Sequence, residues 1–158
     1  MNKRAAIRTN ALVAVMVIAS SLPACSRPSF EEVSKELARL VDPAARAALN
    51  GADPSERNVG TDHCGDPFTG PKNGIQPTLV YRVSTAKLGS DPNDFVKRAE
   101  KVWIDEGLEI ENGDSENVFG RFASLPGYGL EAFVNHTNQE AVIRGTGPCV
   151  EDPDPGSD

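Results

Sequence analysis

The densest group of chemically capable side chains in this sequence is Asp62-His63-Cys64-Gly65-Asp66, and a second histidine, His136, stands apart from it. Thiolate and imidazole hold zinc when three or four such ligands converge at set spacings. This run matches none of those spacings, so no metal site is expected. His63 and His136 are the only histidines, and either could act as acid or base beside a serine or carboxylate. Nothing around Ser84, Ser115 or Ser124 has the build of a nucleophile elbow. A hydrolase is therefore the less favoured reading, with no catalytic residue and no cofactor assigned.

Two further groups call for weighing. Glu100, Glu106, Glu109, Glu111, Asp114 and Glu116 form an acidic run. A calcium loop over Asp105 to Glu116 would have acids at its first and last places, but Gly107 and Leu108 spoil the interior, which leaves a solvated face. The aromatic residues Phe95, Trp103, Phe119, Phe122, Tyr128 and Phe133 could line a cleft between helix and sheet that takes a small ligand or lipid. Equally, a small domain needs such residues to fill its core, and the chain is short for both.

The elements that would place these residues can be read from pattern. Ser29-x-x-Glu32 is a capping box, and Phe30, Val33, Leu37, Leu40 and Val41 behind it share one helical face. Asp42-Pro43 then offers a fresh cap and first-turn proline, which predicts two consecutive helical pieces ending at Asn50-Gly51. From Gly51 to Gln76 no apolar period fits, and a long loop pinned by Cys64 is expected. Leu79, Tyr81 and Val83 alternate in a strand over Pro77 to Lys87. Asp91-Pro92-Asn93-Asp94 opens a second helix with Phe95, Ala99, Val102 and Trp103 on its apolar stripe, closed by Gly107. Leu108–Ile110 and the runs 118–124, 128–135 and 141–147 read as strands joined at hairpin intervals. The expected fold class is α+β, an antiparallel sheet of four or so strands with helices on one face.

The chain starts with Lys3, Arg4 and Arg8, followed by an apolar stretch from Ala11 to Ile18 and the small residues Ala19, Ser20 and Ser21. Basic, apolar, small is the layout of an export signal. Its apolar core is shorter than the roughly 20 residues a membrane-spanning helix requires. The segment closes on Leu22-Pro23-Ala24-Cys25 and resembles the lipobox of bacterial lipoproteins, with Pro23 departing from the commoner Ser, Ala or Thr. The resemblance implies that residues 1–24 are removed and that Cys25 becomes a diacylated N-terminus. Each buried methylene contributes about 0.8 kcal/mol, so two chains anchor stably where one is marginal. An ordinary secretory cut near Ala24, releasing an unanchored domain, is the alternative.

Loss of the three basic residues in 1–24 leaves 13 Lys+Arg against 23 Asp+Glu, a formal −10. Nucleic acid as a partner is excluded by that balance, since its binding rests on cationic contacts to phosphate. So is docking of the protein surface on anionic headgroups. Lipidation consumes Cys25 and leaves Cys64 and Cys149, which outside the cytosol are most simply a disulfide. The expected organisation is one domain over 25–149, followed by a disordered acidic tail over 150–158.

Taken together, the lipobox cysteine, the early helix, Cys64 before the first strand, the Asp94-Phe95 helix start, Gly127-Tyr128-Gly129 at a hairpin and Cys149 after the last strand resemble the LppA-like group of small actinobacterial lipoproteins. The group brings an address and a fold, and no activity that could be carried onto residues here. The expected function is a non-enzymatic interaction module at the extracytoplasmic face of the cell membrane. Its contacts would be the membrane, through lipid on Cys25, and an envelope or extracellular protein. Trp103 is the residue that would anchor such a partner if it were exposed.

Overall fold

The capping box at Ser29 is formed in full: Glu32 N donates to Ser29 Oγ, and Ser29 N donates back to Glu32 Oε2 at 2.8 Å. From it runs α1, Phe30–Leu49. In a computed structural model that describes residues 27–65 and 73–152, this helix passes through Pro43 without a break. Two helical pieces were expected there. Proline removes one intrahelical donor and crowds the carbonyl four residues back, but burial of Val41, Ala44, Ala45 and Ala48 on the same stripe outweighs that local cost. Asn50 then takes the left-handed conformation, and its N–H reaches Arg46 O.

The expected long loop holds a strand instead. Elements β1 (Glu56–Cys64) and β2 (Gly74–Ser84) pair antiparallel along their whole length. A short 3-10 turn and α2 (Pro92–Asp105) follow, with Asp91 accepting Asn93 N–H as N-cap. Then come β3 (Glu109–Asn112), β4 (Val118–Leu125), β5 (Tyr128–Asn135), β6 (Glu140–Thr146) and β7 (Val150–Glu151). The sheet has seven strands in the order β1-β2-β6-β5-β4-β3, with β7 beside β2 in line with β6. It is larger than the four or so strands expected, and the two strands not expected are the mostly exposed edge strand β1 and the two-residue β7. Val150 and Glu151, expected in a disordered tail, pair with Ile75 and Gly74.

Both helices cover one face. Strand residues Leu79, Val83, Leu130, Ala132, Val134, Ala141 and Ile143 point into that layer, together with Leu37, Val41, Phe95, Ala99 and Trp103 of the helices. Close approach is set at Gly145, where a Cβ would lie 2.8 Å from Leu37 Cδ1. The helices are tied to each other as well: Arg98 donates to the Ala48 carbonyl near the end of α1, with Nη2 at 2.8 Å, and Trp103 Nε1 points to Leu40 O at 3.4 Å. No helix among the described residues is long and apolar enough to cross a membrane.

Candidate functional site

Alternation along each strand sends every second side chain to the face that no helix covers. The antiparallel register lines them up across strands. Glu111 of β3 faces Phe122 of β4, Phe122 faces Glu131 of β5, and Glu131 faces Arg144 of β6. In the next row Ser124, Gly129 and Thr146 are opposite one another. Large groups in one row beside small groups in the next leave an open groove of about 390 Å³, walled by Glu111, Phe122, Glu131 and Arg144 and floored by Gly129 and Thr146.

Phe122 is 43% exposed, although aromatic rings are among the side chains most readily buried. Its ring rests against Gly113, where a Cβ would overlap it. Glu131 is mostly buried and held by Arg144. Glu111, and Glu109 beside Ser124, have no basic partner among the described residues. Across the whole open face the carboxylates Glu56, Asp62, Glu109, Glu111, Glu131, Glu140 and Glu151 outnumber the arginines Arg82 and Arg144. Arg82 takes Glu56 at 3.2 Å and Glu140 at 3.1 Å. Acids on the helix side are matched differently: Glu36 and Glu106 share Arg39, Asp94 has Lys97, Asp105 has Lys101, and Glu100 has Arg121. The Arg39 guanidinium, in turn, holds the Glu36 carboxyl below its ordinary pKa through their hydrogen bond.

The sequence-derived candidates fall apart in space. His63 is paired with Ile75 at the start of β2, and His136 sits in the turn between Asn135 and Glu140, whose partner is Ser84 at the end of β2. At about 3.3 Å per residue, roughly 30 Å of strand separates the two ends. Both histidines are exposed. Among the described residues no three His, Cys, Asp or Glu side chains gather as a metal site would need; Asp66 lies outside them. Cys64 and Cys149 are joined, with their Cα atoms 5.9 Å apart. Cys25 and the whole leader lie outside the described residues.

Trp103 is fully buried, so it fills the core and offers nothing to a partner. The aromatic set is split between layers: Phe95 joins Trp103 in the core, Phe119 and Tyr128 pack on it half-buried, and Phe122 and Phe133 belong to the open face. The helix–sheet layer, expected as the place for a cleft, is packed with side chains exposed by 1% or less at Leu37, Val41, Phe95, Ala99 and Ile143. The groove is on the other side of the sheet. Sequence reading singled out Glu111 and Phe122 in separate groups and passed over Glu131 and Arg144, because only strand register makes the four neighbours.

A third constellation is built on the helix side. Tyr81 donates its hydroxyl proton to Asp42 Oδ1 at 2.7 Å and accepts from Arg57 Nε at 2.8 Å. Burial, and then the Asp42 carboxylate, hold the phenol above its ordinary pKa. This ties edge strand β1 to the middle of α1, and its polar groups are satisfied by one another.

No protein-family model matches the chain, and no curated protein does. Among solved structures it is similar to the crystal structure of LppA, a protein described as a lipoprotein, from Mycobacterium tuberculosis. The two are 12% identical over 77% of this chain and 78% of that one, with a TM-score of 0.40. At that score the likeness decides nothing about function.

Proposed function

We propose that this chain is a lipid-anchored extracytoplasmic lipoprotein whose domain works without catalysis, as a binding module that offers the open face of its sheet to an envelope or extracellular protein. The observation that carries the reading is the uncovered sheet face with its groove and exposed Phe122. A formed depression with an apolar group and a few convergent polar side chains is the default place for a binding site. The anchor is supported by the leader ending at Leu22-Pro23-Ala24-Cys25. A small-ligand binder is the second reading, favoured by the groove's volume and now located on the open face.

Two measurements test this. Cys25→Ala leaves the precursor uncut or releases the protein from the membrane fraction; a variant that keeps both its lipid label and its detergent partitioning sinks the anchor. A photo-crosslinking residue at Ser124, on the groove floor, captures a defined partner in native membranes, and one at Lys101, on the helix side, does not. Equal capture from both positions, or none from Ser124, removes the open face from the proposal.

A further inference from the structure

We infer that the groove is a receptor for organic cations, and that its occupant is a Lys- or Arg-rich segment of a partner protein. This rests on the open face being the docking surface, and it adds the chemistry of what docks.

The first argument is the order of one row. Register places Phe122 between Glu111 and Glu131, each directly opposite it on a neighbouring strand. An ammonium or guanidinium over the exposed ring meets the negative face of its π-system, with the carboxylate of Glu111, unpaired among the described residues, on one side and, on the other, Glu131, which Arg144 already holds. The alkyl stem of the same Lys or Arg then has the row of Ser124, Gly129 and Thr146 to lie along.

Spacing argues against a metal ion in the same place. Glu111 and Glu131 are two strands apart, about 9.5 Å between backbones. Calcium needs its oxygens within roughly 2.6 Å, and Phe122 stands between the two glutamates in the register. A long flexible cation fits that gap where a bare ion does not.

The charge of the whole face points the same way and sets the size of the partner. Carboxylates exceed arginines across all of it, with Glu109 and Glu111 unmatched among the described residues, whereas on the helix side Glu36, Asp94, Glu100, Asp105 and Glu106 have bases beside them. A second copy of this chain would bring the same excess of acid and be repelled, as would an anionic bilayer. A basic segment crossing β3 and β4 along the groove is complementary to its Glu109, Glu111 and Phe122 end, away from Arg144.

The test uses the full chain in neutral detergent, with arginine-rich and lysine-rich peptides, a glutamate-rich peptide of equal length and a neutral oligosaccharide as probes. The basic peptides bind and weaken with salt, and the other probes do not bind. Glu111→Gln and Phe122→Ala each weaken binding about three- to tenfold, the size of one exposed cation contact, while Glu31→Gln, the same charge change on α1, leaves it unchanged. The inference is overturned if the basic peptides fail to bind, if Glu31→Gln weakens them as much as Glu111→Gln, if Phe122→Ala has no effect, or if the oligosaccharide binds instead. Because both affected residues are exposed, folding is checked on each variant by its melt. Capture from Ser124 together with failure of the basic peptides would leave the docking face standing and remove only its cation chemistry.

Discussion

Cys64 and Cys149 are bonded to each other from opposite sides of one strand: Cys64 pairs with Gly74, and Cys149 leads directly into β7, whose Glu151 pairs with the same Gly74. The bond therefore ties an edge strand and a two-residue strand to the opening of β2. Beyond its ladder to β2 and the Arg57–Tyr81–Asp42 link, β1 has little packing to hold it. The exposed strand β1 buries no side chain fully, and β7 contributes Val150 alone to the interior.

Reduction, or Cys149→Ser, removes a cross-link over a separation of 85 residues. In the chain-entropy model such a loop contributes about 4 to 5 kcal/mol. The urea midpoint should fall accordingly, with the earliest loss of amide protection in β1. Thiol labelling of the intact oxidised protein should find neither cysteine free. Two labelled thiols, or an unchanged midpoint on reduction, would contradict this.

The only tryptophan, Trp103, is at 0% exposure with its indole N–H aimed at Leu40 O. Trp103→Ala leaves a cavity where α1, α2 and the sheet meet, at about 3 to 5 kcal/mol. By contrast Glu109→Ala, exposed on β3 and without a basic partner, should change stability by no more than about 0.5 kcal/mol. Urea melts of both variants decide the matter, and the parent's fluorescence should be that of a buried indole. A parent-like melt for Trp103→Ala would place the residue outside the core.

The helices and the interior strands were legible because each carries its own signal: the capping box at Ser29, the Asp91-Pro92 start, and the alternation through Tyr81 or Leu130. Strand β1 carries none. It lies at the sheet edge with Asn58, Val59 and Asp62 all exposed, so no apolar period marks it. The Asp42-Pro43 pair reads locally as a new cap, and only tertiary burial of the flanking residues shows why one helix continues. Most of the groove was hidden for a different reason. Glu111, Phe122, Glu131 and Arg144 come from four strands, and sequence spacing holds no information about the register that aligns them.

Both tyrosines bear on alkaline stability. Burial, then the Asp42 carboxylate, raises the pKa of Tyr81, and burial, then the charge of Glu36, raises that of Tyr128, each from an ordinary 10.0. The unfolded chain therefore releases these protons first. Above pH 10 the folded state holds more protons, so their contribution is whole below that pH and is lost as pH rises through the folded values. Stability should fall on the alkaline side, and Tyr81→Phe should make the fall shallower. Melts across that range, with tyrosinate absorbance in parallel, measure it; a slope unchanged by Tyr81→Phe would count against the linkage.

Gly129 and Gly145 are diagonal neighbours on the paired strands β5 and β6, yet they belong to opposite faces, and the same substitution should act differently at each. At Gly145 a Cβ would meet Val41 Cγ2 at 2.5 Å and Leu37 Cδ1 at 2.8 Å, both on a helix that is packed along its length. Neither side chain has room to withdraw, so Gly145→Ala pushes α1 from β6 at about 1 to 3 kcal/mol. At Gly129 the nearest atom is Thr146 Oγ1 at 3.1 Å, which faces the open groove. Rotation of that hydroxyl gives up only a long hydrogen bond to Gly129 O, 3.4 Å. Alanine in a strand is also favoured over glycine by roughly 0.5 to 1 kcal/mol. Gly129→Ala should therefore melt like the parent or slightly above it, while its methyl group rises into the groove floor. If Gly145→Ala is as stable as Gly129→Ala, the close seating of α1 on β6 is wrong.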